Sequence, residues 1–97
     1  MARIELAAEV LDDFERILDH LVRFEAGDPP NRISEIVQAI QILTHTPLIG
    51  RPVRDGKREL VIGRGSHGYV ALYRFVAGVD TVFGLAIRSQ REASYRH

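Results

Sequence analysis

The sequence contains no cysteine, which excludes a disulfide framework, a thiolate nucleophile and a zinc site built on sulfur ligands. A reducing compartment fits that composition. Nor is there a long apolar run near the start, where MARIELAAEV already carries Glu5 and Glu9. That segment has neither the pattern of a secretory signal nor that of a membrane span, so a soluble, cytoplasmic chain is expected. The net charge is zero, which argues against coating nucleic acid through bulk electrostatics. The four histidines, His20, His45, His67 and His97, show no metal-ligand spacing, and no paired carboxylates suggest a metal site. No cofactor is expected.

What is present is enough for one core. At 97 residues and 45% hydrophobic content, all elements must share a single core, and residues 1–97 form one domain. Charge is distributed unevenly along it. Residues 1–50 hold four arginines against nine carboxylates, and residues 51–97 hold nine cations against four carboxylates. Eight of those nine cations are arginine, whose planar fork suits phosphate and carboxylate. The halves either pair with each other or leave a basic binding face.

Residues 2–6, ARIEL, alternate with Ile4 and Leu6 on one side, the period of a half-buried strand. From Ala7 to Ala26, Val10, Leu11, Phe14, Ile17, Leu18, Leu21, Val22 and Phe24 recur at helical spacing. Asp12, Asp13, Glu15, Arg16, Asp19 and Arg23 take the opposite face and read as a solvated surface. Gly27-Asp28-Pro29-Pro30 stops that helix and starts another. The second helix runs from about Pro30 to His45, with Ile33, Ile36, Val37, Ile40 and Leu43 as its buried stripe, and ends ahead of Pro47. Residues 47–57 read as an exposed, basic connection.

Three strands follow, Arg58 to Ile62, Gly68 to Val76 and Thr81 to Arg88, separated by short Gly-containing turns that favour a meander. On the middle strand Tyr69, Ala71, Tyr73 and Phe75 share one face and Val70, Leu72, Arg74 and Val76 the other, so the strand is central. Both tyrosines read as core residues with satisfied hydroxyls rather than base-stacking platforms. Gly63-Arg64-Gly65-Ser66-His67-Gly68 lacks the Gly-Lys-Ser/Thr ending of a phosphate loop and reads as a strand connection. Residues 89–97, polar and basic without clear periodicity, read as a tail or a short helical turn near the sheet edge. The expected fold class is α+β, order β-α-α-β-β-β, a helical hairpin packed on a small antiparallel sheet.

That order, with THTPLIGRPV after the second helix, RELVIG on the next strand, HGYVALYRFV on the central strand and TVFGLAIRSQREASY at the end, resembles the RelE/ParE toxin superfamily over essentially the whole chain. The resemblance implies the toxin of a type II toxin–antitoxin pair, with a cognate antitoxin as partner and a hetero-oligomer of the two. RelE-like members cut messenger RNA on the ribosome with sheet cations and a C-terminal arginine and tyrosine; ParE-like members inhibit DNA gyrase. Arg91 matches the nuclease arginine's position and Tyr95 lies near the tyrosine's, so these are the catalytic candidates on the nuclease reading, with Lys57 and His67 as helpers. Against it, Val70 stands where the nuclease pattern has arginine, and only Lys57 and Arg58 echo the other cations. Metal-free RNA cleavage needs a base, an acid and cations on the phosphate; Val70 supplies none.

The tail IRSQREASY is more similar to the gyrase-directed, plasmid-stabilisation branch. The preferred reading is therefore a non-enzymatic, ParE-like gyrase inhibitor, with Arg58, Arg74, Arg88, Arg91 and Tyr95 contacting target or antitoxin. The alternatives are a RelE-like ribosome-dependent endoribonuclease and an inactive toxin-like binding module. A solvated basic tail is the plain alternative for Arg88, Arg91 and Arg96, and an ion pair to a helix for Arg74.

Overall fold

The computed structural model describes residues 1–24, 29–63 and 68–90. The strands are β1 (Arg3–Leu6), β2 (Arg51–Pro52), β3 (Arg58–Ile62), β4 (Tyr69–Val76) and β5 (Thr81–Ser89); the helices are α1 (Ala8–Phe24) and α2 (Pro29–Ile42). They form a five-stranded sheet in the order β1-β5-β4-β3-β2, with β4 at its centre. Val10, Ile17 and Leu21 of α1 and Ile36 and Ile40 of α2 pack against Ile62, Tyr69, Ala71 and Ile87 of the sheet. A second cluster joins Ala2, Leu43, Tyr73 and Val82. Burying this one shared core is what holds two short helices and five short strands together.

The β3-β4-β5 meander is antiparallel, as its short turns require. The expected antiparallel sheet becomes mixed at one edge, because β1 pairs in parallel with β5, Arg3 opposite Thr81 through Leu6 opposite Gly84. The helical hairpin and the meander intervene between those strands, and a crossover of that length permits parallel pairing. The region read as an exposed connection contributes β2, which pairs with β3 through Arg51–Glu59 and Pro52–Arg58.

The second helix ends at Ile42, ahead of the expected His45. Thr44 Oγ1 donates to the Gln41 carbonyl and Thr46 Oγ1 to that of Ile42 at 3.1 Å. Those carbonyls also accept the N–H groups of Thr44, His45 and Thr46 in the closing turn, so the hydroxyls reinforce a tightened helix end. Val37, expected in the buried stripe, is 39% exposed. The Gly27–Asp28 part of the hairpin turn lies outside the described residues. No helix among the described residues is long and apolar enough to cross a membrane.

Asp13 departs from its expected place on a solvated surface: it is 7% exposed. It stands three residues after Val10 and four before Ile17, on the same helical stripe as those core residues. β1 covers the edge of β5 only as far as Leu6, and the Ala7 N–H donates to Gly84 O at 2.9 Å. One residue later, at Leu85, β5 carries an extra residue relative to β4. Beyond that bulge the ladder is completed by side chains of α1. The Ile87 N–H donates to Asp13 Oδ2 at 2.8 Å, and Arg16 Nη2 donates to Ile87 O at 3.2 Å.

Candidate functional site

Register divides the sheet into two faces. Tyr69, Ala71 and Tyr73 belong to the clusters that pack beneath the helices. On the other face three cross-strand rows lie side by side: Val61, Val70 and Arg88; Glu59, Leu72 and Ala86; and Arg74 with Phe83. A recess of about 570 Å³ opens there, lined by Leu72, Phe83, Leu85 and Ala86 and by the cations Lys57, Arg74 and Arg88, with Glu9 as the carboxylate. Glu59, which shares this face, is engaged by Arg51 at 2.8 Å.

The arginines singled out from sequence occupy different surroundings. Arg88 Nη1 donates to Asp13 Oδ1 at 2.9 Å, and Arg16 Nη2 reaches the same oxygen at 3.1 Å. The Asp13 side chain is 10% exposed and that of Arg88 33%, so this pair is far better shielded than the surface pairs Arg3–Glu5 and Arg23–Asp19. Arg74 Nη2 donates to the main-chain carbonyl of Asp55 at 2.7 Å, a partner on the 3-10 turn Arg54–Gly56 rather than an acid on a helix. Arg58 lies opposite Tyr73, on the face opposite to that of Arg74, and its Nη1 donates to Leu48 O at 3.1 Å and Gly50 O at 2.8 Å. Arg58 therefore closes the loop between α2 and β2 instead of extending the Arg74 surface. Arg91, Tyr95 and Arg96 lie outside the described residues, as does His67.

Tyr73 is 1% exposed. Its hydroxyl donates to Pro47 O at 2.7 Å and accepts from the Gly50 N–H at 2.9 Å, the satisfied core tyrosine expected from strand alternation. A Cβ at Gly50 would stand 2.7 Å from the Tyr73 ring and 2.8 Å from Glu59 O, so only glycine fits this approach. The loop locked in this way holds Leu48 and Ile49 at 58% and 59% exposure.

A second recess, of about 500 Å³, lies between β1 and the hairpin, lined by Ile4, Leu6, Phe14, Val37 and Ile40 among others. Beside it α1 carries Leu11, Leu18 and Val22 at 58%, 42% and 66% exposure. Sequence reasoning placed these three with the other apolar positions of one amphipathic helix; the structure leaves them facing outward, flanked by Asp12, Glu15 and Asp19.

Two helices on one face of a mixed sheet, an apolar groove at one edge and a sheet face bearing arginines make up the described molecule. The fold matches the chromosomal ParDE system of P. aeruginosa with a TM-score of 0.74 at 20% identity, over 92% of this chain and 96% of that one. It also matches the RelBE2 complex of Mycobacterium tuberculosis, with a TM-score of 0.62 at 22% identity over 91% and 96%. For the E. coli RelBE complex the TM-score is 0.64 at 12% identity over 92% and 96%. No curated protein sequence matches it significantly. The sequence model of the ParE toxin of type II toxin–antitoxin systems matches residues 4–94. The chain belongs to the ParE toxin family and is the toxin component of a type II system.

Proposed function

We propose that this toxin acts by binding DNA gyrase rather than by cutting RNA, that a cognate antitoxin silences it by covering the apolar groove beside β1, and that both proteins work in the cytoplasm. The observation that carries the reading is the composition of the open sheet face. Beside Arg88 on that face stands Val70, itself buried at 7% exposure and with a side chain that neither gives nor takes a proton. Arg74 and Arg88 already lean on fixed oxygens of the protein itself. Such a face is suited to holding a partner.

The antitoxin reading draws on the groove and on the exposed Leu11, Leu18 and Val22. An apolar strip of this kind fits an amphipathic helix, and the outer edge of β1 is open to an added strand. The solved relatives are toxin–antitoxin complexes.

Induced expression of this chain alone, followed by parallel assays of supercoiling by purified gyrase and of ribosome-bound message, tests the target. Loss of supercoiling with intact message is expected. Cut message with normal supercoiling would overturn the reading and make Arg91 and Tyr95 catalytic candidates.

A further inference from the structure

The open sheet face combines two properties that one class of ligand satisfies together. Among the described residues three cations, Lys57, Arg74 and Arg88, line the recess against one carboxylate, that of Glu9. Between them lies an apolar floor of Leu72, Phe83 and Ala86. The two arginines are aimed before anything binds: Arg88 by the buried Asp13 carboxylate at 2.9 Å, and Arg74 by the Asp55 carbonyl at 2.7 Å. Each guanidinium has five N–H donors, so one such anchor leaves others free to meet a carboxylate from a fixed direction. Lys57 adds a movable charge, and its backbone is pinned by the Val53 N–H to its carbonyl at 2.9 Å.

A phosphate backbone would use the cations and leave the apolar floor uncovered, because single-stranded nucleic acid relies on stacked aromatic faces along a continuous basic track. Among the described residues Phe83 is the one aromatic lining the recess. A peptide that alternates carboxylates with large apolar side chains uses both features, its acids on the cations and its apolar groups on Leu72 and Phe83. We infer that the open face of the sheet is a receptor for an acidic, apolar-bearing peptide segment of a partner protein. This goes beyond the gyrase reading and does not depend on it, since binding is read on the purified chain with neither gyrase nor message present.

The test is titration of the full-length, isotope-labelled chain with three probes, followed by amide chemical shifts. The probes are the octapeptide Leu-Asp-Glu-Phe-Leu-Asp-Glu-Leu with blocked ends, the same peptide with lysine at each acidic position, and an eight-nucleotide DNA strand. The acidic peptide is expected to move the amides of Lys57, Leu72, Phe83, Ala86 and Arg88, and the lysine peptide to leave them in place. Lys57→Glu is expected to weaken the acidic peptide about tenfold or more, by turning an attraction into a repulsion. Arg23→Glu, the same charge reversal on an arginine of α1 whose side chain is 67% exposed, is expected to change it less than about twofold.

Four results would each overturn the inference: no shifts at millimolar acidic peptide, shifts confined to the β1 groove, tighter binding of the DNA strand, or equal effects of the two reversals. Self-association that Lys57→Glu abolishes would do so as well, by making the acidic outer side of α1 on a second copy the occupant.

Discussion

Asp13 gathers three donors from two elements onto one carboxylate: the Ile87 N–H and the Arg88 guanidinium of β5 and, one helical turn on in α1, Arg16. Asp13→Ala would strand a buried N–H and remove the anchor of a partly buried arginine, each a costly loss in a shielded setting. Urea denaturation is expected to register a loss of about 2–4 kcal/mol, with Asp13→Asn losing less because its amide oxygen can still accept from Ile87. Tyr73→Phe removes the hydroxyl's bonds to Pro47 O and Gly50 N while keeping the ring in the core, for an expected loss of about 1–2 kcal/mol on the same measurement. These two residues also mark where sequence reasoning reaches and where it stops. The core position of Tyr73 follows from period-two alternation along one strand. Asp13 has the helical phase of Val10 and Ile17, but its charge argues for solvent, and its main-chain partner lies 74 residues away. For Arg58 and Arg74 the residue type suggested carboxylates and phosphates, whereas the acceptors are carbonyls brought near by loop geometry that leaves no trace in spacing.

At the scale of elements, β3, β4 and β5 were legible to within a residue, because alternation and Gly-containing turns are local signals. The parallel partner of β1 and the two-residue β2 were not, since both depend on what the rest of the chain places beside them. α1 was legible as an amphipathic helix but not as one with two apolar sides, one on the core and one carrying Leu11, Leu18 and Val22. An outward apolar row adds little to the isolated fold, since its residues keep about half of their surface in water. The double substitution Leu18→Ser, Val22→Ser is therefore expected to shift stability by no more than about 0.5 kcal/mol. Co-purification with the antitoxin, taken from the neighbouring reading frame, is expected to fall sharply. Unchanged capture would place the antitoxin elsewhere on the toxin.

Across the whole molecule, charge and apolar surface sort onto two faces. The uneven charge along the sequence survives folding: Asp13–Arg88 joins the two halves, while Arg3–Glu5, Arg23–Asp19 and Arg51–Glu59 pair within them. The helix layer thus keeps exposed acids around an apolar groove, and the open sheet face keeps cations. If the antitoxin takes the groove and the target takes the sheet, the two associations can be severed separately. Leu18→Ser, Val22→Ser is expected to inhibit supercoiling at the wild-type concentration yet resist neutralisation when antitoxin is added in steps. Arg88→Ala is expected to do the reverse, inhibiting less while still binding antitoxin. Asp13 keeps Ile87 and Arg16 as partners in that variant, so its thermal midpoint should confirm a folded chain before activity is compared. The sign of the salt response separates the faces further. Raising ionic strength screens exposed charge and leaves apolar burial intact. Inhibition through the sheet is thus expected to weaken between low and physiological salt while antitoxin capture holds. A salt response shared equally by both associations would mean that one surface serves the two partners.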